Sequence, residues 1–311
     1  DKALASGTPI RQVVMGRCCA IDSMMEALFE LYELDQTDLT LFATGGYGRG
    51  ELHPFSDVDL LLLSPNPIDE ALNQKISPFV AKLWDIGIDP ALVVRSVEEC
   101  DKACHDDITV ATSLLEARIL AGNVAQAGLP MQLLNKNWSQ TKFYEAKMAE
   151  AKERYLKHNS TEYNLEPDLK NAPGGLRDIH TVGWISKRYF RVTNLFGLVQ
   201  QEFITEKEFD ELQQAEDFLW LIRHHLHKIA KRNENRVLFD YQRLIAERIG
   251  YRDNSHPNAA VEHFMRDYYR YAMSNSTLSE MLTQHYYETL IEARLPCLLY
   301  TSPSPRDKRQ S

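Results

Sequence analysis

Residues 45–63 read GGYGRGELHPFSDVDLLLL, directly after the apolar run LTLFAT at 39–44. The apolar run reads as a short buried strand that ends in glycines, and DVDLLLL (57–63) reads as a second strand. Ten residues separate Gly46 from Asp57. Side chains at i and i+2 leave the same face of a strand, so Asp57 and Asp59 project together while Val58 and Leu60 turn away. Paired carboxylates at that spacing suit Mg²⁺, which takes oxygen ligands and keeps substrate phosphates in its shell. Two such ions about 4 Å apart activate an attacking oxygen and stabilise a leaving pyrophosphate. Gly45 and Gly46, without Cβ atoms, let a triphosphate approach the backbone, and Arg49 offers a charge-assisted contact.

The same stretch excludes two commoner phosphate loops. A dinucleotide fingerprint needs G-x-G-x-x-G, which glycines at 45, 46, 48 and 50 do not supply, and a Walker loop needs Lys where this chain has Glu51.

Working outward, apolar residues from Val13 to Leu31 recur at helical steps, a helix is expected at about 69–86, and IDPALVVRS (88–96) reads as a third strand. From about residue 97 helical periods dominate, with helices expected over 97–104, 107–121, 139–158, 175–191, 205–232, 240–249 and 257–292. The main interruption is YNLEPDLKNAPGGLRD (163–178), where prolines and glycines break the helix. The expected organisation is α+β: a small mixed sheet with helices over 1–120, then an all-helical domain over 121–292. The segment PCLLYTSPSPRDKRQS (296–311) shifts in composition and resembles translated adaptor sequence, so 293–311 is expected to be a non-native or disordered tail. The first residue is Asp rather than Met, which fits a chain cut from a longer reading frame.

Composition narrows the function classes. The 311 residues carry 35 Lys plus Arg against 44 Asp plus Glu, a formal charge of −9. That balance argues against a general nucleic-acid binder, which needs basic surface to displace counterions. No run approaches the roughly 18 apolar residues of a membrane span. Five cysteines (Cys18, Cys19, Cys100, Cys104, Cys297) lack metal-finger spacing, and no signal segment opens the chain, so the expected compartment is the reducing cytoplasm. Cys100, Cys104 and His105 read better as helix-packed residues than as a partial metal site. His224, His225 and His227 read as a partly buried polar helix face, and His53 as a turn residue without a triad partner.

Strand, Gly-Gly, ten residues, Asp-x-Asp and an apolar strand resemble the signature of the polymerase-beta-like nucleotidyltransferase fold. The surrounding segments LWDIGID, DDITVATSLLEARILAG, YNLEPDLKNAPGGLRDIHT and FMRDYYRYAM resemble the N-terminal part of the bacterial PII-protein uridylyltransferases, the GlnD family, over about residues 10–292. That resemblance implies Mg²⁺-dependent transfer of UMP from UTP to a tyrosine of the PII signalling protein, with release of pyrophosphate. It matches Gly45 and Gly46 to the phosphate-binding glycines and Asp57 and Asp59 to the metal aspartates. Asp89 falls where the family usually has a Glu, in a segment like LEVGHSVR. The following Gly-His is replaced here by Ala91-Leu92, so Asp89 reads equally as a third metal ligand or as a turn residue before Pro90.

Arg177 and Asp178 match the family's GLRD loop, where they either position a substrate or form an ion pair that orders the loop. The family's HD-type uridylyl-removing domain and its glutamine-sensing ACT domains would lie beyond this chain, which leaves glutamine as a regulator of the full-length family only. His105-Asp106 spells an HD dipeptide without the neighbouring ligands of such a domain. Two rival readings stand: adenylyl transfer to glutamine synthetase, which shares the glycine and aspartate site, and a non-catalytic PII-binding module.

Overall fold

A computed structural model describes residues 4, 6–157, 164–192, 194–253, 255–256 and 258–291. The expected tail at 293–311 lies outside the described residues. Helix α1 (Ile10–Leu31) leads into strand β1 (Thr40–Ala43), the short helix α2 (Gly45–Gly48) and strand β2 (Val58–Ser64). Helix α3 (Glu70–Asp85), strand β3 (Pro90–Ser96), helices α4 (Val97–Asp106) and α5 (Ile108–Leu115) and strand β4 (Arg118–Gly122) follow. The strands form one sheet in the order β3-β2-β1-β4. β1 pairs antiparallel with β2 and β4, whereas β2 pairs parallel with β3. The sheet is therefore small and mixed, and with its helices it makes an α+β fold.

The leucine run of β2 is explained by burial on both faces. Val58, Leu60 and Leu62 pack with Met25 and Phe29 of α1 and Phe79 and Leu83 of α3. Leu61 and Leu63 enter the opposite core with Phe42, Cys100, Cys104, Leu114 and Trp184. The cysteines at 100 and 104 are thus core residues. Asp57 and Asp59 share the parity of Leu61 and Leu63, so the carboxylates emerge where that second core gives way to a cavity.

Two expectations change. The helix expected over 107–121 ends at Leu115, and residues 118–122 form β4 on the free edge of β1. Five residues are too few for periodicity to outweigh an adjoining helical pattern, and the pairing that decides the matter is with residues about eighty positions earlier. β4 also runs through residue 120, where the sequence suggested a boundary.

Helices α6 (Leu129–Asn137) and α7 (Gln140–Lys157) lead to the Pro/Gly loop. Beyond it come α8 (Leu176–Phe190), α9 (Phe196–Gln200), α10 (Glu206–Ala230), α11 (Phe239–Ile249) and α12 (Ala259–Tyr286). A capping box of Thr205 and Glu208 starts α10 by satisfying amides that the helix itself cannot. Leu219, Ile222 and Leu226 of α10 pack with Ile245 of α11 and Phe264 and Tyr268 of α12. Ile10 and Val14 of α1 join this helical core while Cys18, Met25 and Phe29 serve the sheet, so α1 fastens the two halves together. No helix among the described residues is long and apolar enough to cross a membrane.

Candidate functional site

Between the sheet and the helical half lies a cavity of about 300 Å³. Its sheet wall carries Gly45, Gly46, Arg49, Asp57 and Asp59, and its helical wall carries Lys147, Lys170, Arg177, His180, Trp184 and Arg223. Gly45 takes φ +54 as β1 turns into α2, a conformation that favours glycine. A Cβ added there would also run into the Asp59 carboxylate. The Thr44 amide donates to the Asp59 carbonyl at 3.0 Å, which fixes the bend against the start of β2.

Asp57 and Asp59 form no ion pair with another described residue. Burial, and then the neighbouring charge of Asp57, push the Asp59 carboxyl above its ordinary range. Two carboxylates on one face, Asp59 half-buried and Asp57 exposed, neither paired with a cation among the described residues, fit the oxygen ligand set of a divalent ion.

Arg49, expected to contact phosphate, is engaged by acids. Its guanidinium reaches Glu51 at 2.7 and 2.9 Å and Glu116 at 2.5 Å. Glu116 also accepts the indole N–H of Trp184, and His180 Nε2 lies 3.0 Å from Glu51. Against the upward push of burial, Arg49 and then His180 hold Glu51 well below the usual carboxylate range. Arg49 lines the cavity, but its hydrogen bonds go to these acids, which join the sheet to α8.

Asp89 is not among the residues that line the cavity, although the parallel register of β2 and β3 sets its backbone beside Asp57. It lies just before Pro90 at the start of β3, its side chain is exposed, and its backbone carbonyl accepts the Val58 amide at 3.0 Å. The cavity wall has Glu51, Glu116 and Glu150 instead.

The GLRD loop also differs from an Arg177–Asp178 ion pair. Asp178 is buried, pairs with Arg154 at 2.7 Å and accepts the Gly174 amide at 2.7 Å. Gly174, at φ +76, packs its backbone against Ala272, and Asn275 donates to the Gly174 and Gly175 carbonyls. The loop is thereby fixed to α12, and Arg177 is turned into the cavity beside Trp184, 5.2 Å from its ring centroid. The Arg177 amide donates to the Lys170 carbonyl at 2.9 Å, which sets the two residues side by side.

The histidines of α10 are packing groups. His224 and His227 are buried, and His227 Nδ1 contacts the Pro54 carbonyl. His53 is also buried, edge-on to Trp220. Among the described residues, Glu51, His180 and Glu216 do come within ion-holding distance of one another. Glu51 is already engaged by Arg49 and Glu216 by Arg11 at 2.7 Å, so this group is part of the salt-bridge network.

A family model described as a nucleotidyltransferase domain matches residues 24–114, and one described as GlnD PII-uridylyltransferase matches residues 142–283. The chain belongs to the GlnD family. It is 63% identical over 296 residues to a bifunctional uridylyltransferase/uridylyl-removing enzyme of Psychrobacter sp. (strain PRwf-1), covering 94% of this chain and 33% of the relative. The enzyme of that name from Psychrobacter arcticus is 61% identical over 298 residues, 95% of this chain and 32% of the relative. The one from Acinetobacter baumannii (strain AYE) is 49% identical over 294 residues, 94% of this chain and 33% of the relative. The chain thus spans about a third of the length of these GlnD relatives.

Proposed function

We propose that this chain carries the nucleotidyl-transfer centre of a uridylyltransferase and moves UMP from UTP to a tyrosine hydroxyl of the PII protein, releasing pyrophosphate. The observation that carries the reading is the same-face pair Asp57 and Asp59 beside the Gly45-Gly46 bend, at the mouth of a polar cavity. The uridylyl donor rests on the names of the relatives, because glycines and carboxylates recognise phosphate and metal rather than a base. In this reading Asp57 and Asp59 hold Mg²⁺, which when bound neutralises phosphate charge and favours ionisation of the attacking hydroxyl. Asp89 is left out of the ligand set.

The glycine bend positions the triphosphate so that the acceptor oxygen bonds to the α-phosphorus as the bond to the bridging oxygen of pyrophosphate breaks. Placement and charge neutralisation supply most of the acceleration. The test is to incubate the chain with PII or with glutamine synthetase, Mg²⁺ and each of the four nucleoside triphosphates labelled at the α-phosphate. Label on PII from UTP alone is expected. Label from ATP on glutamine synthetase instead, or PII binding without label, would replace this reading with one of its rivals.

A further inference from the structure

Half of the charged side chains that line the cavity, His180 aside, are joined in ion pairs with one another. Arg49 is shared by Glu51 and Glu116, and Lys147 meets Glu150 at 2.7 Å. What is left is divided by sign. Asp57 and Asp59 stand on the sheet wall, while Lys170, Arg177 and Arg223 stand on the helical wall with no ion pair to any described residue. Arg223 donates from Nε to the neutral amide of Asn235 at 2.8 Å, and Arg177 lies beside the Trp184 ring.

These cations are crowded. Burial, then Arg177 and Arg223, push the Lys170 ammonium down to about 8, and Arg223 is pushed down to about 10, chiefly by burial. Like charges gathered in a partly buried place, none of them in an ion pair with a described residue, weaken the fold that holds them. A polyphosphate would relieve all three at once.

Resting on the nucleotidyl-transfer reading above, we propose that Lys170, Arg177 and Arg223 are the polyphosphate-binding residues of the helical half, so that the substrate's phosphates lie between a metal-holding wall and a cationic wall. The fixed Pro/Gly loop sets Lys170 and Arg177 side by side from one segment. Arg223 comes from α10, and the three together give a triphosphate donors from two directions.

The test uses inorganic tripolyphosphate in EDTA, which removes metal and base from the measurement. The parent chain is expected to bind it, less tightly as salt rises. Arg177→Gln and Lys170→Met are each expected to weaken binding by roughly 10-fold or more, the scale of one charge-assisted contact. They are also expected to leave the melting temperature of the ligand-free chain unchanged or higher, since a repelling cation is gone. Binding as tight as that of the parent chain, or weaker binding with a lowered ligand-free melting temperature, would overturn the assignment. Asp57→Asn separates the two claims. It should lose transfer yet keep tripolyphosphate binding in EDTA. If it still transfers UMP, the functional reading fails while the cation variants continue to decide this inference.

Discussion

The two walls of the cavity are built in opposite ways. The sheet wall comes from a single stretch, residues 45–59, in which one bend and one strand set the spacing of the glycines and aspartates. The helical wall is gathered from positions 147, 170, 177, 184 and 223, on three helices and a loop. A site drawn from one segment keeps its geometry through local backbone rules, whereas a site drawn from many depends on the packing that brings them together. The Arg49–Glu51–His180 and Arg49–Glu116–Trp184 contacts are that packing's polar seam.

The largest difference should appear when each region loses one charge. Asp57→Asn or Asp59→Asn is expected to lower uridylyl transfer by roughly a hundredfold or more, the scale of a lost charge-stabilising group. Thermal melting should be unchanged or higher, because the two carboxylates repel one another. Glu51→Gln should do the reverse in stability. It leaves the buried Arg49 and His180 short of a partner, with a loss of roughly 3 kcal/mol in urea unfolding, the low end for a broken buried pair. Equal melting temperatures for Asp57→Asn and Glu51→Gln would erase the distinction between site and seam.

A finer contrast lies within the bend. Gly45→Ala meets both a positive φ and the Asp59 carboxylate, so it should destabilise the chain by about 1–2 kcal/mol and displace that carboxylate. Gly46→Ala meets only an ordinary contact with the Glu51 carbonyl at 3.4 Å and should keep the parent's melting temperature. Similar melting temperatures in the two variants would contradict the account of the bend.

The last expected effect is a pH dependence at the seam. Burial, with Arg49, pushes His180 down to about 3, and burial, with Arg223, holds His53 well below its ordinary value. Below about pH 6.5 the unfolded chain takes up protons that the folded chain refuses, so their contribution is full above that pH and lost as pH falls. Each such histidine steepens the decline by up to about 1.4 kcal/mol per pH unit. Urea unfolding at pH 7, 6 and 5 should show falling stability, and a flat profile would mean these rings protonate freely in the folded chain.

The same contrast explains what the sequence made legible. Gly45, Gly46, Asp57 and Asp59 were readable because their relation is local: a two-residue strand period and a short loop. β4 was hidden by five residues attached to a helical pattern, since its identity depends on pairing with β1. Asp89 stayed open between metal ligand and turn residue for a related reason. Its distance along the chain from β2 says nothing about side-chain direction at the end of a parallel neighbour. Lys170, Arg177 and Arg223 gave no spacing signal, although PGGLRD did mark a constrained loop whose arginine was worth weighing. Arg49 shows the limit from the other side, because a cation beside the glycine bend turned out to face acids, one of them sixty-seven positions later in the chain.

The most direct measurement is a crystal structure of the chain with Mn²⁺ and a non-hydrolysable UTP analogue, with the metal located by its anomalous signal. The account predicts Mn²⁺ between Asp57 and Asp59, with the phosphates against Gly45-Gly46 on one side and Lys170, Arg177 and Arg223 on the other. Carboxylates turned apart with no metal between them, or a nucleotide bound outside this cavity, would contradict it.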